Sequence, residues 1–154
     1  MAGTEPLNLD AFIPFRLSYT SNLVSDRIAR AYEALFGLSI PEWRLVAVVA
    51  EGGISQRAIG DRTRMDKVTV SRAAIALVER GVLAREANAT DRRSHRLVLT
   101  EAGRTLHAAI APEAKALERR IFAGFRPEEV DRFVAMLRRI DAAVLALDGR
   151  ACPT

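Results

Sequence analysis

Apolar residues along this chain recur first at helical spacing, then alternate as in strands between about residues 82 and 99, and then return to helical spacing. From about Phe12, the residues Ile13, Leu17, Val24, Ile28, Ala31 and Leu35 share one stripe, widened by Phe12, Phe15, Tyr19 and Leu23. Pro14 fits only a first helical turn, so a helix starts close to it, after a loose arm over residues 1–10, and Gly37 stops it. Ser39-Ile40-Pro41-Glu42 has the spacing of a capping box. It predicts a second helix with Trp43, Val46, Ala47 and Ala50 as its buried face, ended by Gly52-Gly53.

Ser55 is placed to cap a short third helix from Gln56 to about Thr63. Arg64-Met65-Asp66 makes a turn, and Asp66 caps a fourth helix that runs to Arg80 and is terminated by Gly81. Val70, Ala74 and Leu77 give that helix a core side, while Lys67, Thr69, Ser71 and Arg72 cluster at its N-terminal end. Val82–Asn88 and Arg93–Leu99 alternate as two strands of a hairpin with Ala89-Thr90-Asp91-Arg92 at the tip. Thr100 caps a long helix with His107, Ile110, Ala114, Leu117 and Ile121 on its stripe and a kink expected at Pro112. Pro127 opens a last helix with Val130, Phe133, Val134, Leu137, Ile140 and Val144 on one face. The expected fold is mainly α with a small β-hairpin wing, a winged helix-turn-helix flanked by N- and C-terminal dimerisation helices. The expected division is an arm and dimerisation helix over residues 1–36, a DNA-binding module over 39–100, and dimerisation helices over 101–147, together forming one compact subunit.

Charge sharpens this picture. Residues 54–100 carry ten Lys or Arg and five acids, whereas the remainder carries 13 basic and 14 acidic residues, so the whole +4 excess lies in one module. A basic stripe confined to a helix-turn-helix is the electrostatic footprint of phosphate binding. With 49% hydrophobic and 27% charged residues the chain is no disordered polyelectrolyte, and no apolar run suggests a membrane span. The N-terminus lacks the basic and apolar regions of a signal peptide, so a cytoplasmic location is expected. A lone cysteine, Cys152, excludes an internal disulfide or a multi-thiolate metal site, and His95 and His107 are isolated from each other, so no metal and no cofactor are expected. Phosphate-cradling glycine loops, paired-histidine metal helices and nucleophile elbows are all missing, which argues against an enzyme.

The order of these elements, with IPEWRLVAVVAE before the motif, IGDRTRMDKVTVSR as the helix-turn-helix, LVERGVL as its exit and DRRSHRLVLTEAG as the wing, resembles the MarR family of transcriptional regulators over nearly the whole chain. The resemblance implies a homodimer on pseudo-palindromic duplex DNA, acting as a repressor. It also implies release by a small aromatic or phenolic anion bound between the dimer helices and the DNA-binding module. The family's redox branch has a cysteine in the first helix, and this chain has none there.

Carried onto these residues, the reading assigns DNA contacts to Ser55, Gln56 and Arg57, to Lys67, Val68, Thr69, Ser71 and Arg72, and to Asp91, Arg92 and Arg93. Asp91 orients the wing tip, and either Arg92 or Arg93 enters the minor groove. Arg64 stands where many such turns have glycine, so a longer or differently shaped turn is expected. Val68 is apolar where polar residues are common, and it suits a thymine methyl. Effector candidates are Arg16, Ser18 and Tyr19 on the first helix, Trp43 and Arg44 on the second, and His107, with core packing the alternative for Trp43 and His107. The rival function is a winged-helix protein-interaction module without a DNA target.

Arg93→Ala is expected to weaken binding to all duplexes, most where the minor groove is narrow, because the wing reads shape and charge. Equal affinity of wild type and variant in a titration at physiological salt would remove Arg93 from the interface.

Overall fold

The computed structural model describes residues 6–89, 94–147 and 149. In chain order the elements are α1 (Ile13–Phe36), α2 (Ile40–Ala50), β1 (Ile54–Ser55), α3 (Gln56–Thr63), α4 (Lys67–Glu79), β2 (Leu83–Ala87), β3 (His95–Leu99), α5 (Glu101–Ile121) and α6 (Pro127–Leu147). They form two compact units, Met1–Pro112 and Glu113–Thr154.

Local chemistry sets most of the helix ends. Pro14 lies in the first turn of α1, and Gly37 ends that helix in the left-handed region at φ 61°. There the Gly37 amide donates to the Glu33 carbonyl at 3.0 Å. Arg80, at the end of α4, donates to the carbonyls of Gly37 at 3.0 Å and Phe36 at 3.3 Å, supplying the acceptors at the end of α1 with a cation. The capping box of α2 is formed in both directions: the Ser39 amide donates to Glu42 Oε2 at 2.7 Å, and the Glu42 amide donates to Ser39 Oγ at 3.4 Å.

The buried face of α2 is only partly the expected one, with Val46 common to both. Leu45, Val46 and Val49 are buried, while Trp43, Ala47 and Ala50 are only partly covered. The reason is tertiary: α2 contacts α1, α3, α4 and β3, so it is covered from several sides. The interior of the first unit joins those three residues to Ile59 of α3, Val70, Ala73, Ala74 and Leu77 of α4, and Leu83 and Leu97 of the strands.

Two further departures concern the backbone. Arg64 adopts φ 58° and ψ 19°, so the tight turn keeps the left-handed geometry that glycine favours, with arginine bearing a strain of about 1–2 kcal/mol. Neighbouring hydrogen bonds hold it: Thr63 Oγ1 donates to the Ile59 carbonyl at 2.7 Å and accepts from the Met65 amide at 3.4 Å. The wing also gains a third strand. β1 pairs antiparallel with β3, Ile54 opposite Leu97 and Ser55 opposite Arg96, in the order β1-β3-β2. Two residues carry no alternation that sequence reading could detect.

α5 begins where Thr100 Oγ1 accepts from the Gly103 amide at 3.0 Å and donates to the Gly81 carbonyl at 2.6 Å. The helix continues through Pro112, after which the second unit begins. Its expected stripe is the better covered face, with Ile110 and Leu117 buried. In α6 no residue is buried, and Phe133, Val134, Ile140 and Val144 of its apolar stripe are exposed. The stripe of α1 is also partly open, at Phe12, Ile13, Tyr19, Leu23 and Leu35.

Gly103 lets the first turn of α5 approach the wing, since a β-carbon there would lie 2.1 Å from the Val82 carbonyl oxygen. Gly103→Ala is therefore expected to destabilise the fold by about 3 kcal/mol or more, read as a lower urea midpoint. An unchanged midpoint would mean that the contact relaxes freely.

Candidate nucleic-acid interface

Burial of Val70, Ala73, Ala74 and Leu77 fixes the rotation of α4, so Lys67, Val68, Arg72 and Ile75 are exposed together. Asp66 caps the helix. Its Oδ1 accepts from the Thr69 amide at 2.8 Å and its Oδ2 accepts from the Thr69 hydroxyl at 2.7 Å. These two bonds, the hydroxyl's first, hold the Asp66 carboxyl below the usual aspartate range. Thr69 and Ser71 are half-buried. In the preceding helix Ser55 is the cap, its Oγ accepting from the Ala58 amide at 3.2 Å, with Gln56 half-buried and Arg57 exposed beside it.

The described cations of residues 54–100 divide into two sets. Arg62 pairs with Glu51, Arg96 pairs with Glu86 at 2.8 Å, and Arg80 lies 4.0 Å from Glu42. Arg57, Arg64, Lys67, Arg72 and Arg85 join no ion pair among the described residues. Two of these free cations, Arg57 and Arg85, line a cleft of about 560 Å³ with Ser55, Gln56 and His95. Neither Arg85 nor His95 is among the contacts expected from the sequence. Only the pairing of β3 with both β1 and β2 brings these residues alongside the start of α3. Asp91, Arg92 and Arg93, the expected wing contacts, lie outside the described residues.

The six effector candidates do not converge within one chain. Near the start of α1 the Arg16 guanidinium sits 5.2 Å from the Tyr19 ring centroid, with Ser18 exposed next to it. Trp43 instead stacks on His107, with centroids 6.3 Å apart and planes at 14°, and meets the edge of Tyr32 at 5.1 Å. Burial pushes the Tyr32 hydroxyl pKa up. Tyr32 lies thirteen residues beyond Tyr19 on α1, about 20 Å along the helix. The two groups are therefore separate on this chain, and Arg44 lies exposed on α2. Neither Arg16 nor Arg44 forms an ion pair among the described residues.

Known proteins resemble this chain in sequence and fold. A sequence profile of the MarR family matches residues 36–94, the stretch from the end of α1 into the wing. The transcriptional regulator HosA of Escherichia coli O157:H7 is 26% identical over 119 residues, covering 77% of this chain and 88% of that protein. A MarR/EmrR family regulator from Acinetobacter sp. ADP1 superimposes with a TM-score of 0.83 at 25% identity, over 90% of this chain and 98% of its own. CouR from Rhodococcus jostii RHA1, solved bound to p-coumaroyl-CoA, gives 0.79 at 25% identity, over 88% and 95% of the two chains. The fold and these relatives mark a winged-helix, DNA-binding transcriptional regulator. Residues 36–94 thus match the MarR family, and the chain as a whole is similar to its regulators in sequence and fold.

Because the folded Asp66 pKa is depressed, the stability contributed by its carboxylate is present above the unfolded aspartate pKa and is lost as pH falls through the folded value. Asp66→Ala should lower the melting temperature at neutral pH, Asp66→Asn should lower it less because the amide still caps, and the wild-type advantage should shrink in acid. Melting curves at neutral and acidic pH check this, and a gap between wild type and Asp66→Ala that stays constant in acid would contradict it.

Proposed function

We propose that this protein is a ligand-responsive repressor that binds pseudo-palindromic duplex DNA as a homodimer and is released by a small aromatic or phenolic acid. The observation that carries the reading is that Arg57, Lys67, Arg72 and Arg85, around the two helices and the wing, join no ion pair among the described residues, while neighbouring arginines pair with carboxylates. Such cations gain by displacing counterions from DNA phosphates. Ser55, Gln56 and Arg57 position the backbone, the start of α4 reads the major groove, and Asp91 with Arg92 or Arg93 forms the wing contact. Residues 1–36 and 101–147 supply the dimer interface, a role supported by the open apolar stripes of α1 and α6. Two copies give a helix-turn-helix the half-site spacing of about 34 Å that one turn of DNA offers.

The aromatic effector is supported by the p-coumaroyl-CoA complex of CouR and by the Trp43–His107 stack, a flat wall beside α2. Arg16 and Arg44 are the candidate anion anchors, and Ser18 and Tyr19 accompany Arg16. A ligand there acts only through its different affinity for the two spacings of the recognition helices.

The test combines three readouts on an operator duplex. Sedimentation should give two chains per duplex. The logarithm of affinity should fall with the logarithm of salt with a slope on the order of −7, if Arg57, Lys67, Arg72 and Arg85 of both chains each displace a counterion. A panel of aromatic acids and their thioesters should contain at least one that releases DNA from wild type, less well from Arg16→Ala or Arg44→Ala. Binding without salt dependence would remove the DNA reading. Release that is absent from wild type, or unchanged in both variants, would remove the effector site alone.

A further inference from the structure

The polar groups at the start of α4 are less available for base reading than their residue types suggest. The Thr69 hydroxyl donates its proton to Asp66 Oδ2 at 2.7 Å, and Asp66 Oδ1 accepts from the Thr69 amide at 2.8 Å. That carboxyl is held ionised by those bonds and has no proton to donate. Ser71 is half-buried. Among the described residues of the first turns of α4, the exposed donors that join no ion pair are Lys67 and Arg72, and between them in sequence stands Val68, 57% exposed.

Val68 and Arg72 are one turn apart on the outer face, about 6 Å along the axis, which corresponds to one or two base steps at 3.4 Å each. Ile75, 45% exposed, follows one turn later. Arg72 separates the two apolar side chains, so they form no continuous patch of the kind a protein partner covers. An isolated apolar knob beside an arginine fork matches a different surface. In the major groove, guanine offers O6 and N7 to a bidentate arginine, and a pyrimidine C5-methyl is the apolar group that a side chain there can cover.

From this placement we infer that Val68 is a specificity residue that selects a C5-methylated pyrimidine next to a guanine held by Arg72, an inference that rests on duplex DNA being the partner. Thr69 and Asp66 are positioning residues that hold the first turn and keep a competing hydroxyl out of the groove. Thymine and 5-methylcytosine carry the same methyl group, so cytosine methylation at that position strengthens binding rather than blocking it.

The experiment begins by enriching a preferred duplex from a random pool with the full chain. Each thymine of that duplex is then replaced singly by deoxyuridine, which removes only the methyl. At one position per half-site, wild type should lose about fourfold in affinity, and about sixteenfold with both half-sites changed, the effect of one and two apolar carbons leaving contact. Val68→Ala, matched to wild type by thermal melting, should bind the thymine and deoxyuridine duplexes equally. Placing cytosine and then 5-methylcytosine at that position separates the sources of the methyl, and wild type should recover about fourfold with the methylated base. If no deoxyuridine position weakens wild type, or Val68→Ala shows the same loss, the inference is overturned. Enrichment of no preferred sequence overturns it while leaving DNA as the partner, and no duplex binding at any salt removes both.

Discussion

Burial of the inner face of α4 is the constraint on which the rest of the interface depends. Val70, Ala73, Ala74 and Leu77 leave α4 one rotation about its axis that removes their apolar surface from water, against α2, α3 and the wing strand β2. At about 25 cal/mol per Å² of apolar area, a face of this size outweighs any preference of the exposed side chains. Once the rotation is set, Lys67, Val68, Arg72 and Ile75 have no place but the outside. The recognition surface is a by-product of the core, with polar positions free to vary chemically because none of them holds the helix.

The start of α4 then needs a stop that does not interfere with a bound partner. The turn at Arg64 and the Asp66 cap provide it, and each uses a local device: a left-handed residue held by Thr63, and a carboxylate saturated by Thr69. An anion at the helix end proposed to face DNA is unfavourable for phosphate approach, yet here its oxygens accept from the Thr69 amide and hydroxyl. Lys67 and Arg72 leave the surface positive around it.

Charge partition works at a larger scale. Arg62, Arg96 and Arg80 sit beside carboxylates or helix-end carbonyls and serve the fold, whereas Arg57 and Arg85 flank an open cleft between α3 and the wing. Surface pairs of this kind add little stability. Their consequence for function is to decide which cations remain for phosphate. In the terminal helices, no residue of α6 is fully buried and its apolar stripe stays open.

The sequence alone determined whatever a few neighbouring residues decide. The Ser39-Glu42 capping box, the Ser55, Asp66 and Thr100 caps, the stop at Gly37 and the hairpin alternation are all legible, because each depends on groups within about four residues of one another. The family was legible for the same reason, through contiguous motifs. Tertiary structure decided what depends on distant segments. The buried side of α2 kept Val46 but took Leu45 and Val49 in place of full burial of Trp43, Ala47 and Ala50, because four elements surround a helix whose own pattern is apolar nearly all round. β1 exists only because β3 offers it a pairing edge, and Arg85 joins Arg57 only through that register. The separation of Arg16 and Tyr19 from Trp43 and His107 was invisible because residues on two helices share a site only if their crossing point allows it. That point is set by packing, and no local pattern of residues encodes it.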